Sequence, residues 1–188
     1  MSELGVTPGQ TIGPFFHYAM PMPDDRVLVP LDSPGSVRLH GHVYDGGGNV
    51  VPDAMLEIRQ CDASGVVPRV EGSLRRDGSS FTGWGRSGTD SEGHYWFSTV
   101  EPGPTHPGAA PFFAVTVFAR GLLDRLFTRI YLPADPEVLA ADPLLATLDA
   151  ELRRRMIAVR DDDGSLRFDL HLQGDQESVF LAYPRHVG

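Results

Sequence analysis

Apolar and polar residues alternate in short stretches along this chain, with the two-residue period of strands that bury one face. Val37, Leu39, Gly41 and Val43 share one side of the first such stretch, and Arg38, His40, His42 and Tyr44 share the other. The turn residues Asp45-Gly46-Gly47-Gly48-Asn49 follow, and residues 50–62 read as the return strand of a hairpin, closed by Asp62-Ala63-Ser64-Gly65. Pro52 suits a strand entry, where a missing N–H is tolerated. After the acidic turn Thr89-Asp90-Ser91-Glu92-Gly93, residues 94–100 (HYWFSTV) alternate again and are rich in strand-forming aromatics and Thr. Residues 112–118 (FFAVTVF) are apolar enough to read as a buried strand, and residues 126–132 as another. Residues 157–160 and 166–172, joined by the turn at 161–164, form a second expected hairpin, and 177–181 a last short strand.

Between 134 and 156 the period lengthens. Pro133-Ala134-Asp135-Pro136-Glu137 is a helix start, and Asp142-Pro143 starts a second piece in which Leu144, Leu145, Leu148, Leu152 and Met156 recur at helical spacing. Arg153-Arg154-Arg155 falls near the helix end, where cations complement the dipole. Pro102, Pro104, Pro107 and Pro111 exclude helix and central strand from the loop before the 112–118 strand. Residues 66–80, with three arginines and little apolar content, read as an exposed loop. Residues 1–36 read as an N-terminal arm on a single domain, 37–188. Within that arm Gly13-Pro14 forces a turn among Ile12, Phe15 and Phe16, so the arm is expected to dock on its own domain or a partner.

At 188 residues, 41% hydrophobic, the chain can bury the core of one domain. Gly and Pro number 21 and 16 without a low-complexity block, which adds turns to the β pattern. The net charge of −9 argues against nucleic acid or an anionic membrane as partner. No run approaches the ~20 apolar residues of a membrane span. The single cysteine, Cys61, cannot form an intrachain disulfide, and residues 1–10 lack a signal-peptide pattern, so a reducing cytoplasm is expected.

Candidate chemistry is sparse. His40, His42 and Tyr44 lie on one strand face and are all capable of ligating iron, which leaves a stand-alone metal-binding enzyme as one reading. Same-face neighbours on a strand are ~6.5 Å apart, so a third ligand would have to lean in, and a polar outer face is the plainer account. Asp161, Asp162 and Asp163 lack the spaced ligands of a calcium loop. There is no P-loop, nucleophile elbow or paired-cysteine zinc pattern. A non-enzymatic β-sandwich that binds a partner is the other residue-level reading.

The run Gly85-Arg86-Ser87-Gly88-Thr89-Asp90-Ser91-Glu92-Gly93-His94-Tyr95-Trp96-Phe97-Ser98-Thr99 is similar to the G-R-x-x-T-D-x-x-G-x-Y/W-x-F-x-T pattern of the intradiol ring-cleaving dioxygenases. Gly41, Val43, Asp45, Gly48, Ala54, Leu56 and Glu57 fall in step with a second pattern of that family, and the resemblance extends over about residues 7–181. It implies an Fe(III)-dependent enzyme that uses O2 to open protocatechuate between its two hydroxyls. Catalytic members hold the iron with two Tyr and two His; the corresponding places here are Val67, Thr105, Phe112 and Ala114, none of them a ligand. Phe118-Ala119-Arg120-Gly121 and Thr128-Arg129-Ile130-Tyr131 resemble the non-catalytic subunit of two-chain members. The resemblance therefore implies a chain without iron, paired with a homologous iron-bearing subunit in a larger hetero-oligomer. It implies pocket roles at the shared site for Thr11, Gly13 and Pro14, and a place for Arg129 at the pocket mouth, facing the substrate carboxylate. A guanidinium suits that task; an interface or structural ion pair is the alternative for Arg129. Pattern and resemblance together give a mainly β fold: a sandwich of two mixed sheets with an N-terminal arm and one or two short helices.

Overall fold

Strand pairing divides the chain into two sheets. In the computed structural model, which describes residues 13, 18–22, 24–70 and 80–183, β1 (Ser36–Tyr44) is central to the first sheet. It runs antiparallel to β4 (His94–Val100) on one side. On the other it is parallel to β8 (Leu166–Arg167) and β9 (Leu170–His171), with β7 (Val159–Arg160) antiparallel to β8. The second sheet has the order β3 (Trp84–Gly88), β2 (Met55–Arg59), β5 (Phe112–Phe118), β6 (Leu126–Tyr131). Its pairings are antiparallel throughout, so one sheet is mixed and the other is not. Parallel pairing needs a long crossover, and it arises where the helical segment carries the chain back to β1.

The expected hairpin of residues 37–62 is not formed: β1 and β2 lie in different sheets. Tyr44 and Val50 make one antiparallel bridge, and Val51 N–H donates to Val43 at 2.8 Å. Beyond Pro52, which has no N–H to extend a ladder, the chain crosses over. Thr89 fixes the crossing, its Oγ1 donating to the Val51 carbonyl at 2.8 Å and accepting from Ala54 N–H at 3.0 Å. Both strands have an apolar face, and placing them in opposite sheets lets those faces meet. Leu39, Val43, Tyr95 and Phe97 of the first sheet pack against Leu56, Ile58, Phe113, Val115 and Ile130 of the second, all buried. Likewise β5 is not buried on both faces. Phe113, Val115 and Val117 enter the core, while Phe112, Ala114, Thr116 and Phe118 are half-exposed.

One polar contact ties the layers and another braces the first sheet across β1. Gln60, just past β2, accepts from Thr99 Oγ1 at 2.5 Å and donates to the carbonyls of Val100 and Cys61. Tyr95 reaches over Gly41 to donate to the Phe168 carbonyl at 2.6 Å, and Phe168 N–H donates to His40 at 2.8 Å. A Cβ at Gly41 would overlap the Phe168 carbonyl, so the close approach requires glycine. At the edge of β4, Val27 bridges Ser98, and Leu28 packs over Gly85. Residues 24–29 are therefore built into the sandwich.

The helical segment is shorter and more broken than its leucine spacing suggests. It comprises α1 (Pro136–Ala141), a 3₁₀ turn (Leu145–Thr147) and α2 (Ala150–Arg154). Asp142 and Asp149 cause the breaks. Each accepts backbone N–H groups at the start of a new turn: Leu144 and Leu145 for Asp142, Leu152 for Asp149. The segment covers the β6 edge of the second sheet, where Tyr131, Leu139, Leu145 and Met156 form a second apolar cluster. Arg153 is built in as well, donating to the Leu145 and Leu148 carbonyls. Residues 177–181 are extended but form no strand; Leu181 N–H donates to Phe127, and Thr128 Oγ1 to Val179, each at 2.7 Å. Among the described residues no helix is long and apolar enough to cross a membrane. Residues 71–79 of the expected loop at 66–80, and residues 1–12, 14–17 and 23 of the arm, Ile12, Phe15 and Phe16 among them, lie outside the described residues.

Replacing Tyr95 with Phe leaves the ring in place and strands the buried Phe168 carbonyl. The expected loss is ~1–2 kcal/mol of folding stability. Urea unfolding checks it; an unchanged midpoint means that water replaces the phenol.

Candidate functional site

The outer face of the second sheet carries three of the residues that the sequence marks as candidates, Phe112, Ala114 and Arg129. The period of β5 turns Phe112, Ala114 and Thr116 away from the core. The register with β6 sets Tyr131, Arg129 and Phe127 beside them. On the other flank Ala114 faces Arg59 and Thr116 faces Glu57, with Trp84 and Arg86 one strand further out. Arg86 is tied to Glu57, Nη2 and Nε both meeting Oε1, at 2.6 and 2.9 Å. The small Ala114 leaves a hollow between larger neighbours. It opens into a cavity of about 440 Å³ walled by Arg59, Trp84, Thr116, Arg125 and Phe127.

Arg129 is held on this face by a ring and a phenol. Its guanidinium lies 4.1 Å from the centre of the Phe112 ring, and Nη1 donates to Tyr131 Oη at 3.1 Å. Tyr131 Oη donates in turn to Asp142 Oδ1 at 3.0 Å. Asp142 is 1% exposed and also accepts from Ala110, Leu144 and Leu145 N–H groups. Burial pushes the Tyr131 phenol up to about 12, against the opposing pull of Arg129. The phenol thus stays protonated and can serve as donor to Asp142 and acceptor from Arg129 at once. Among the described residues Arg129 forms no ion pair.

The four presumed ligand places sit at one end of this sheet, where β2 finishes and β5 begins. Phe112 and Ala114 are on β5 itself. Val67 and Thr105 are on two loops held together: Gly103 N–H donates to Asp62 at 2.8 Å, and Gly65 abuts the Pro104–Thr105 peptide. Both side chains are exposed, Val67 by 56%. Thr105 borders a wider cavity of about 710 Å³ between the proline-rich loop and α1. Two hydrocarbon side chains, one aromatic ring and one neutral hydroxyl offer no phenolate or imidazole, so these residues do not fit ferric iron. Among the described residues no group of three or more His, Cys, Asp or Glu is arranged to hold a metal ion.

His40, His42 and Tyr44 lie together on the outer face of the first sheet, where strand pairing adds His94 and His171. The rings contact one another, His42–His94 at 5.1 Å and Tyr44–His171 stacked at 4.9 Å. They do not converge on a point. Each of three histidines turns to its own carboxylate: His40 to Asp161 at 3.3 Å, His42 to Asp169 at 3.6 Å, His94 to Asp90 at 3.8 Å. Asp161 and Asp163 are occupied by Arg167 and by Ser165. Of the expected pocket residues on the arm, Gly13 is half-buried, and Thr11 and Pro14 lie outside the described residues. Sequence reasoning did not single out Asp142 as a partner of Tyr131. The Asp-Pro helix signal marked its position, but the contact that matters is eleven residues away in sequence.

Residues 11–174 match a family model described as dioxygenase. The chain is 38% identical to the protocatechuate 3,4-dioxygenase alpha chain of Burkholderia cepacia, over 96% of this chain and 99% of that one. It is 33% identical to the alpha chain of the same name from Pseudomonas putida, over 94% and 96%. With the Burkholderia cepacia beta chain it shares 34% identity, over 63% of this chain and 53% of the relative. Among solved structures, the dioxygenase domain of a carbohydrate-binding fusion protein from Streptomyces sp. SirexAA-E superposes with a TM-score of 0.60, at 24% identity, over 89% of this chain and 98% of that one. That likeness concerns the fold.

The histidine face carries a pH dependence. Burial, and then the charge of His42, hold His94 below its ordinary value, with Asp90 opposing. The unfolded chain therefore binds the proton more readily, and acidification through about pH 6.5 costs folding stability. His94→Gln should flatten the fall in melting temperature between about pH 7 and about pH 5. An equally steep fall in the variant would assign the acid sensitivity to other groups.

Proposed function

This chain belongs to the intradiol ring-cleavage dioxygenase family, and we infer that it is the α subunit of a protocatechuate 3,4-dioxygenase, working beside a homologous β subunit. One observation carries the reading. A chain that keeps the family fold along most of its length has Val67, Thr105, Phe112 and Ala114 where catalytic members need ligands. The assembled enzyme inserts both atoms of O2 as it breaks the ring bond between the two hydroxyl-bearing carbons, giving 3-carboxy-cis,cis-muconate. The family is iron-dependent. In this reading the ferric ion belongs to the β subunit, and this chain takes no part in holding it.

This chain would contribute wall, charge and interface. Thr11, Gly13 and Pro14 would line the pocket shared with the β subunit. Arg129 would meet the ring carboxylate, the group by which protocatechuate differs from catechol. Its support is a half-buried guanidinium with no carboxylate paired to it among the described residues. A fixed cation there favours the acid over the plain diol through a charge-assisted hydrogen bond. A cytoplasmic setting suits Cys61, a buried free thiol that donates to the Gly103 carbonyl at 3.0 Å.

Two experiments test this reading. The chain purified alone should bind no stoichiometric iron and open no ring. A tyrosinate-to-iron absorption band in that preparation contradicts it. In the assembled enzyme, Arg129→Leu should weaken protocatechuate relative to catechol by ~1.5–3 kcal/mol, with iron content unchanged. Equal loss for both substrates assigns Arg129 to the interface, and no loss places it in solvent.

A further inference from the structure

We propose that Phe112, Tyr131 and Asp142 are positioning residues that hold the Arg129 guanidinium in one plane and one place, presenting its free edge to the carboxylate of the substrate. The proposal rests on the reading of Arg129 given above and names what makes that side chain specific.

An arginine side chain has four rotatable bonds, and on an open sheet it samples many positions. Two contacts remove that freedom here. The Phe112 ring supports one face of the guanidinium at 4.1 Å, which sets its position over β5. Tyr131 Oη accepts a hydrogen bond from Nη1 at 3.1 Å, which sets rotation about the guanidinium axis. That phenol can act as acceptor because its own proton is committed to Asp142 Oδ1 at 3.0 Å. Asp142 is in turn immobile. Oδ2 accepts from Ala110 at 3.1 Å, and Oδ1 from Leu144 and Leu145 at 3.0 and 3.1 Å. Orientation passes from a buried helix start, through a phenol, to a cation at the outer face of the sheet. Of the five guanidinium N–H groups, the phenol occupies one, and the remainder can pair with a carboxylate in two parallel bonds.

The arrangement also gives the degenerate ligand place a role. Phe112 stands where the family resemblance places a ligating histidine. A phenyl ring cannot bind iron, but its negative face seats a cation. The register that would have aimed an imidazole outward now aims a ring beneath Arg129, across the Phe112–Tyr131 and Ala114–Arg129 pairs.

The test uses the assembled two-chain holoenzyme and four forms of this chain: wild type, Arg129→Leu, Tyr131→Phe and Phe112→Leu. Steady-state kinetics with protocatechuate and with catechol are read beside iron content and melting temperature. Tyr131→Phe keeps the ring and removes the acceptor. It should raise KM for protocatechuate by about fivefold, with kcat within about twofold and the catechol constants unchanged. Phe112→Leu should act in the same selective way. If Arg129→Leu is selective while Tyr131→Phe and Phe112→Leu are not, the positioning role is wrong and the reading of Arg129 stands. If Arg129→Leu is itself unselective, the reading fails and the proposal with it. Should Tyr131→Phe not assemble, Phe112→Leu decides by the same comparison, a selective rise supporting the proposal and an equal or absent effect overturning it.

Discussion

A single buried carboxylate organises the functional half of this molecule. Asp142 is sealed from water, and a charge or dipole in that position is tolerable only when its hydrogen bonds are made. It makes four: three to backbone N–H groups and one to a phenol. Those bonds end α1, start the 3₁₀ turn, pin the end of the proline-rich loop at Ala110, and fix Tyr131 at the end of β6. Loop, helix and strand are thereby held to one another at the edge of the second sheet. Removing the carboxylate would leave three amide N–H groups and the phenol O–H without acceptors, and no other group among these contacts could replace it.

The family pattern around residue 90 has a structural explanation as well. Thr89 clamps the crossing from β1 to β2. Asp90 accepts from Glu92 and His94 N–H groups at 2.9 and 3.0 Å, and Gly93 supplies the positive φ, 73°, that closes the turn. Arg86 and Glu57, both in family patterns, neutralise each other across β2 and β3. The residues most diagnostic of the family therefore build the scaffold. None of them coincides with Val67, Thr105, Phe112 or Ala114.

Both outer faces of the sandwich are polar, but they differ in kind. On the first sheet, His40, His42 and His94 each face an aspartate, which satisfies them locally and leaves no converging set of donors. On the second, among the described residues, Arg86 pairs with Glu57, while Arg59 and Arg129 form no ion pair. With an overall charge of −9, a locally basic face is a specific feature of the surface rather than a consequence of composition.

The alternation of apolar residues determined that this protein is built of strands, where most of them lie, and which side of each faces inward. Burial of Val37, Leu39 and Val43 follows from period alone, whereas the run 112–118 is too uniformly apolar to show that only Phe113, Val115 and Val117 face inward. That Val67, Thr105, Phe112 and Ala114 offer neither phenolate nor imidazole is likewise a property of the sequence, because side-chain chemistry needs no coordinates. Strand partnership was not legible. The spacing of β1 and β2 is that of a hairpin, and only the meeting of two apolar faces across a core sends them to different sheets. The start of a helical piece at Asp142-Pro143 was legible, but the leucine repeat at 144–156 promised one continuous piece, and capping by Asp149 divided it. Arg129 could be named from four residues of sequence. Its seat on Phe112 and its link through Tyr131 to Asp142 belong to the tertiary structure, since they join a loop, two strands and a helix start that local propensity cannot bring together.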